Sequence, residues 1–592
     1  MPATTANRQP TTAADTVPGA LSLRSAAHPD EIAYVFLRNG EEPGDTLTYR
    51  ELDEAARARA ARFGSAGLTG RNALLVYPSG PEFIVALMGC MYAGVVGAPV
   101  QVPRRRHGVE RLRRIADDAG TATVLTTAEV KHDLEQRFGG LPELRGLTLV
   151  DTGSAPPDDV PPARPAEPHP DAVALLQYTS GSTGDPKGVM VTHANFRSNV
   201  LETESLWPCG PGTVFVSWLP LFHDMGLLFG VLLPVWAGVP SYLMAPEAFI
   251  RRPARWLEAV SRFRGTHSAA PSFAYELCAR AAREGRTAHV GDLSSWRIAA
   301  NGAEPVRWHT IRSFARAFAP HGFDPRAMTP GYGLAENTLK ATGTAQDRAP
   351  ATLTLSSVAL GEGRVEPTDG TGAATTVVSS GVPTLDTAVR IVDPVTREPC
   401  PPDRVGEIWI SGPCVAAGYF GRPELSEETF RARIRGVPDA HLRTGDLGFL
   451  RDGELYVTGR LKDVIVHRGR NHYPQDVELS AEGAVSGLHP NCAAAFAVDD
   501  GAREVLVLVV EADGRVLRDP GAAALRKRVH DAVHEDHRLT ADHVLVVRRG
   551  ALPRTSSGKV QRRACAERYA DGSLAAHAVH EDAEAAPPRV AR

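Results

Sequence analysis

The stretch Tyr178-Thr179-Ser180-Gly181-Ser182-Thr183-Gly184-Asp185-Pro186-Lys187-Gly188 has the chemistry of a phosphate cradle. Phosphate oxygens need several donors at short range, and a loop of Gly, Ser and Thr offers backbone N–H groups and hydroxyls without bulky side chains in the way. Lys187 adds a compact positive charge. The string is not a Walker loop, which needs Gly before its Lys and Ser or Thr after it; Pro186 and Gly188 take those places here. Such a composition also suits a surface turn, but this order of residues, directly after an apolar run at 172–176, favours the phosphate reading. The chain uses 6 lysines against 59 arginines. A lysine that survives in such a chain marks a place for a compact, titratable ammonium that a planar guanidinium cannot replace.

Two further strings lie where an open α/β sheet binds ligands, at the carboxyl ends of strands. Asn301-Gly302-Ala303-Glu304 ends one predicted strand, and Gly331-Tyr332-Gly333-Leu334-Ala335-Glu336 follows another. His223, in Pro220-Leu221-Phe222-His223-Asp224-Met225-Gly226-Leu227, has no metal-ligating partner at a suitable spacing.

Positioning these residues takes a large framework, and 592 residues with 43% apolar and 23% charged side chains supply a globular one of several domain-sized pieces. Short apolar runs at 73–77, 123–126, 213–218 and 298–301 alternate with helical patterns at 252–264 and 306–318, which predicts a largely parallel sheet with helices on both faces. The uncharged stretch 83–100 reaches the length of a membrane span. Gly89, Gly94, Gly97 and Pro99 instead divide it into a helix and a buried strand. Residues 151–170 hold seven prolines and read as an extended surface connection. From about 379 the pattern turns to β alternation, with strands at 389–392 and 405–410. A boundary near Arg460 opens a small αβ domain, 460–574, with strands at 494–498, 504–510 and 543–547 and a helix at 522–534. Residues 1–20 and 575–592 are expected to be flexible tails. A net charge of −4 gives no basic field for nucleic acid. Seven cysteines without a CxxC pair fit neither a disulfide scaffold nor a zinc ribbon, so a reduced cytoplasm is expected.

The loop at 178–188 resembles the signature of the adenylate-forming superfamily: acyl-CoA synthetases, peptide-synthetase adenylation domains, luciferases and fatty acyl-AMP ligases. Further family motifs follow in order, from Leu47-Thr48-Tyr49-Arg50-Glu51-Leu52 to Lys559. The resemblance implies an α/β fold: a large N-terminal adenylation domain, residues 21–459, of doubly wound sheets plus a β-rich subdomain, and a small mobile α+β C-terminal domain. It implies ATP and Mg2+ as cofactors. ATP or AMP would be bound by Thr179, Ser180, Gly181, Ser182, Thr183 and Gly184, by Asn301, Gly302, Ala303 and Glu304 beside the adenine, by Gly331, Tyr332, Gly333, Leu334 and Ala335, with Tyr332 stacking on the base, and by Asp446 and Arg460 at the ribose. Glu336 and Thr183 would contact the metal, a hard ion that takes carboxylate and phosphate oxygens together. Many relatives have Ser or Thr at Ala335, so one hydroxyl contact is missing here. Lys462 takes the hinge position. Leu552-Pro553-Arg554-Thr555-Ser556-Ser557-Gly558-Lys559 resembles the loop that inserts the catalytic lysine, and Lys187, Glu336 and His223 would complete the catalytic set.

The form His-Asp-Met-Gly-Leu at 223–227, together with the string Arg468 to Glu478, is similar to fatty acyl-AMP ligases more than to acyl-CoA synthetases. So is the length of the Thr/Ala/Gly-rich stretch 341–378, where that branch carries an insertion thought to restrain the small domain and disfavour CoA. An acyl pocket formed by His223, Met225, Gly226, Phe229, Trp236 and Phe273 shows no obvious charge for an amino group, so an apolar acid is expected. The expected reaction makes acyl-AMP and pyrophosphate, then passes the acyl group to the phosphopantetheine thiol of an acyl carrier protein in a polyketide, nonribosomal peptide or lipid pathway. Arg526-Lys527-Arg528, Arg548-Arg549 and Arg562-Arg563 offer steering charge for such a partner. Neither nucleic acid nor a membrane span is expected, and a monomer or dimer is expected. The alternatives are an acyl-CoA synthetase, an enzyme using an unusual small acid or another acceptor, and a non-catalytic binding relative.

Overall fold

The computed structural model describes residues 14–153, 167–178, 186–370, 373–467, 470–499, 504–537, 539–555 and 558–579. Two large sheets dominate its N-terminal part. One has six strands, ordered Thr148–Asp151, Thr123–Thr126, Asn72–Leu75, Val96–Pro99, Val173–Tyr178 and Gly188–Thr192. All its neighbours are parallel except the last pair. The other has eight, ordered Lys340–Gly343, Met328–Gly333, Ile298–Asn301, His267–Ala270, Phe215–Ser217, Ser241–Met244, Ile32–Arg38 and Glu42–Thr48. Its six central strands are parallel and its two edges antiparallel.

Local chemistry sets where the covering helices begin and end. The helix Tyr49–Ser65 starts at a capping box in which Thr48 Oγ1 accepts the Glu51 N–H and the Glu51 carboxylate accepts the Thr48 N–H. The helix Pro81–Ala93 is buried from Phe83 to Tyr92 and stops at Gly94, whose φ of 65° suits glycine. The strand Val96–Pro99 follows it, so the uncharged stretch is a core helix and a core strand. Among the described residues no helix is long and apolar enough to cross a membrane.

A β-rich part follows: Ala388–Val392, Gly406–Ser411, Ala440–Arg451 and Glu454–Arg460 pair antiparallel in that order. At the start of the stretch expected to be an insertion, 341–378, Lys340–Gly343 is an edge strand of the large sheet. Beyond it, Thr352–Ser356 and Ala374–Val378 form a hairpin around the short helix Ser357–Gly361. Its Leu355, Leu360 and Val365 pack on Leu447, Phe449 and Tyr456 on one side and on Tyr473 on the other. The hairpin therefore touches both sides of the turn Leu461–Asp463.

The C-terminal unit has strands Ala493–Asp499, Glu504–Ala512 and His543–Arg548 in one sheet. The helices Pro474–Gly483 and Ala522–His537 pack on it through Val477, Leu525 and Val529. Order reaches into both segments expected to be tails. The helix Val17–Ala27 is capped by Thr16, carries Pro18 in its first turn and buries Val17 and Leu21, so order starts inside the 1–20 segment. At the other end the Val579 N–H donates to Val546 O at 2.9 Å and Ala578 bridges to Val547. A sheet edge thus orders residues that composition marked as tail. Residues 1–13 and 580–592, and 154–166 of the proline-rich stretch, lie outside the described residues.

Candidate active site

The strand ends converge as the α/β rule requires. Asn301 closes its strand almost fully buried, and its Oδ1 has no hydrogen-bond partner among the described residues. At Gly302 a Cβ would stand 2.8 Å from Gly331 O, so a side chain there would force the two strand ends apart. At Gly333 a Cβ would fall within 2.0 Å of Leu339 O, so the turn bearing Glu336 closes only over glycine. Ala303 takes a left-handed φ of 65° directly after these ends.

Charged groups then gather around a cavity of about 1150 Å³. The Tyr332 hydroxyl donates to Asp446 Oδ2 at 2.8 Å, and Arg460 Nε donates to Asp446 Oδ1 at 2.9 Å. Tyr419 OH donates to Glu336 Oε1 at 2.8 Å, and the Lys187 ammonium stands 5.3 Å over the Tyr419 ring. Burial raises the Glu336 carboxyl above its usual range, with the Tyr419 hydroxyl opposing. Residues 179–185 lie outside the described residues, so the phosphate-loop positions Thr179 to Gly184 do too. The ends of that loop are tied to Asp118: it accepts from Tyr178 OH at 2.9 Å and from Arg422, which also donates to Pro186 O.

Lys559 reaches this cavity from the small domain, at the turn closed by the Arg554–Val560 bridge. Thr555 holds it from both sides, donating its N–H to Lys559 O at 2.8 Å and accepting the Lys559 N–H on Oγ1 at 3.1 Å. Enclosure lowers the Lys559 ammonium below the usual lysine range, while Asp224 opposes. Burial on its own would raise Asp224; His223, 2.6 Å away, and Lys559 outweigh it and hold that carboxyl low. The same closure is latched elsewhere. Glu304 Oε1 accepts the Phe273 N–H at 2.6 Å while its Oε2 accepts from Asn491 of the small domain at 3.1 Å. Arg307 pairs with Glu482 at 3.0 Å, and Arg280 donates to Leu488 O. Glu304 thus spends its carboxylate on the wall and the small domain.

Part of the lining is apolar: Trp207 and Phe229, at 5.5 Å between ring centroids, with Ala300 and Leu339. His223 and Met225 line the cavity as expected. Three expected pocket residues sit differently. Trp236 belongs to the buried core, where its carbonyl accepts from Arg24, because an apolar helix pattern does not distinguish a core face from a pocket face. Gly226 is a packing position, where a Cβ would come within 2.2 Å of Pro220 O. Phe273 lines a second cavity of about 530 Å³ with Trp218, Leu277 and Asn491, bordered also by His223, Met225 and Lys559. Trp207 and Lys340 went unread in the sequence; the rarity of lysine was the one signal that pointed at Lys340.

Lys462 is exposed in the one-turn helix Leu461–Asp463, between the strand Glu454–Arg460 and the small domain. Of the candidate steering charges, Arg562 is taken up internally by Glu478 at 2.6 Å and Asp463 at 2.9 Å. Lys527 pairs with Asp531, and Arg563 with Glu567.

Comparison with known proteins converges on one group. The AMP-binding enzyme family matches residues 21–420 and the Disco-interacting protein 2-like AMP domain matches 462–579. The medium-chain-fatty-acid–[acyl-carrier-protein] ligase JamA of Moorena producens is 41% identical over 94% of this chain and 95% of its own. The long-chain-fatty-acid–AMP ligase FadD26 of Mycobacterium marinum is 36% identical over 93% and 97%. Among solved structures, the fatty acyl-adenylate ligase of L. pneumophila in complex with acyl adenylate and pyrophosphate superposes with a TM-score of 0.75 at 35% identity, over 95% of this chain and 97% of that one.

Proposed function

The chain belongs to the AMP-binding enzyme family, and on that premise we propose that it is a fatty acyl-AMP ligase that loads an acyl carrier protein. It is an ATP-dependent acid ligase. One observation carries the reading: Lys559 of the small domain lines the same cavity as Lys187, His223, Glu336 and Asp446 of the large one.

In the first step a carboxylate oxygen attacks the α-phosphorus of ATP in line, and the bond to the departing pyrophosphate breaks. Two anions must approach each other, so positive charge at the reacting phosphorus is the main requirement. Lys559 and Lys187 bring it from opposite domains. Asp446, already oriented by Tyr332 and Arg460, accepts from the ribose hydroxyls. The unpartnered Asn301 Oδ1 accepts a donor from the base. Among the described residues no cluster of three or more His, Cys, Asp or Glu could hold a metal by itself. Mg2+ would therefore be shared between Glu336 and the substrate phosphates, where it would neutralise phosphate charge; a single hard carboxylate fits that donor set. Thr183 would be its second contact.

In the second step the thiol of a phosphopantetheine arm attacks the acyl carbonyl, a C–S bond forms and AMP leaves with the electron pair of the broken anhydride bond. The small domain, from about Arg460, turns on Lys462 between the steps. The hairpin Thr352–Ser356/Ala374–Val378 resists that turn because it packs on Tyr473, and so favours a carrier-borne thiol over free CoA. The test is incubation with ATP and a panel of acids, with mass detection of acyl-AMP, acyl carrier protein thioester and acyl-CoA. Acyl-AMP with carrier loading supports the reading. Free CoA acylated as fast as the carrier overturns the branch, and no acid-dependent pyrophosphate release overturns the activity.

A further inference from the structure

Lys340 is a buried lysine that the reaction does not use and the sequence did not explain. It opens the edge strand Lys340–Gly343, is buried to 4% exposure and lines the main cavity, as do Trp207, Phe229 and Leu339. Its backbone is pinned on both sides by the Asn199 side chain, which accepts the Lys340 N–H at 3.3 Å and donates to Lys340 O at 2.9 Å. Its side chain stands 4.9 Å from the Trp207 ring.

An ammonium carries three donors. Among the described residues one acceptor meets Nζ, the Glu202 carbonyl at 3.0 Å. The Glu202 carboxylate is turned to Thr387, whose hydroxyl lies 2.7 and 2.9 Å from its two oxygens. Besides that carbonyl the ammonium faces the Trp207 ring, and its remaining donor capacity stands in the cavity wall beside Phe229 and Leu339. Burial pulls this ammonium down to about 7, with Glu202 and Cys414 opposing. Such a site leaves polar hydrogens unmet when a plain hydrocarbon covers it, and meets them when the occupant offers oxygen.

We propose that Lys340 is the specificity residue of the acid pocket, and that the preferred acid carries an acceptor oxygen on its chain, as a keto, hydroxyl or second carboxylate group, instead of being a plain alkyl acid. The inference rests on the reading of this cavity as the acid-activating site. It adds what the pocket prefers. Glu202 positions Lys340 through its carbonyl, and the aromatic pair Trp207 and Phe229 fixes how deep the oxygen must lie.

The test compares kcat/KM for acid-dependent pyrophosphate release with octanoate, 8-hydroxyoctanoate, 7-oxooctanoate and octanedioate, and with their shorter and longer homologues. The wild-type enzyme is expected to favour at least one oxygenated acid over the alkyl acid of the same length by about tenfold or more, as expected for a buried donor left without its acceptor. Lys340→Met, which keeps length and removes the donors, is expected to bring that ratio to about one or below while leaving the KM for ATP unchanged. The wild-type ranking needs no variant and stands even where Lys340→Met folds poorly. A wild-type enzyme that uses the alkyl acid as well as every oxygenated one, or a Lys340→Met enzyme that keeps the wild-type ratio, overturns the inference and leaves adenylation intact. Silence with every acid overturns the adenylation reading and this inference together.

Discussion

The two ends of the cavity are built by different means. At the nucleotide end, Tyr332, Glu336, Asp446, Arg460 and Lys559 come from short contiguous strings, and Tyr332, Asp446, Arg460 and Glu336 already hold protein partners within 3 Å. At the acid end, Trp207, Phe229 and Lys340 come from a helix terminus, an irregular helical turn and a sheet edge with no motif linking them. On the proposed reading, the unvarying part of the substrate falls to local backbone designs and the variable part to side chains that only the tertiary fold brings together. Changes at the first end are therefore expected to act on every acid alike, and changes at the second to reorder acids.

The largest expected effect is at the shared phosphorus: Lys559→Ala lowers acyl-AMP formation by about 10²- to 10³-fold, the usual cost of losing one transition-state donor. ATP binding by calorimetry stays within a few-fold. An unchanged turnover would remove Lys559 from the chemistry. Next comes Asp446→Asn, which weakens the contacts to Tyr332 and Arg460 and raises the KM for ATP by roughly tenfold to a hundredfold, at about 1.5–3 kcal/mol for a hydrogen bond to a charged group. The ranking of acids stays as it was; a reordering would mean the two ends are not separable.

A smaller effect is expected from Phe229→Leu, which opens the acid end beside Trp207. Each extra methylene accommodated is worth about 0.8 kcal/mol, roughly fourfold in kcat/KM, so the preferred chain lengthens by about one or two methylenes with the KM for ATP constant. A uniform loss across all lengths would count against Phe229 as a pocket wall. The smallest effect is in pH. Enclosure lowers the Lys559 ammonium, so the charge it must carry is present at low pH and lost as pH rises through that lowered value. The alkaline limb of kcat/KM should fall below about pH 10.4, the ordinary lysine value. A limb at or above it would mean the ammonium is not desolvated in the free enzyme.

That contrast also explains what could be read from the residues alone. The parallel strands showed as apolar runs, and two of them, Thr123–Thr126 and Ile298–Asn301, have the expected bounds. The strings around Glu336, Asp446 and Lys559 were read through resemblance, which short contiguous motifs carry well. Trp236 was misplaced because hydrophobic periodicity reports burial without saying whether the neighbour is core or ligand. The ordered starts of both tails depended on opposite situations. Thr16 and Pro18 give a helix-start signal that was present and unused, whereas the bridge from Ala578 to Val547 is a long-range pairing that no local pattern announces. Lys340 and Glu202 lie 138 residues apart, so their meeting could not be foreseen from spacing.

Glu304 has a consequence of its own. One carboxylate accepts from the Phe273 N–H beside the second cavity and from Asn491 on the small domain. A change that shifts the Phe273 backbone at the second cavity must also shift the carboxylate that holds Asn491, so the two contacts are linked reciprocally, each favouring the other by the same free energy.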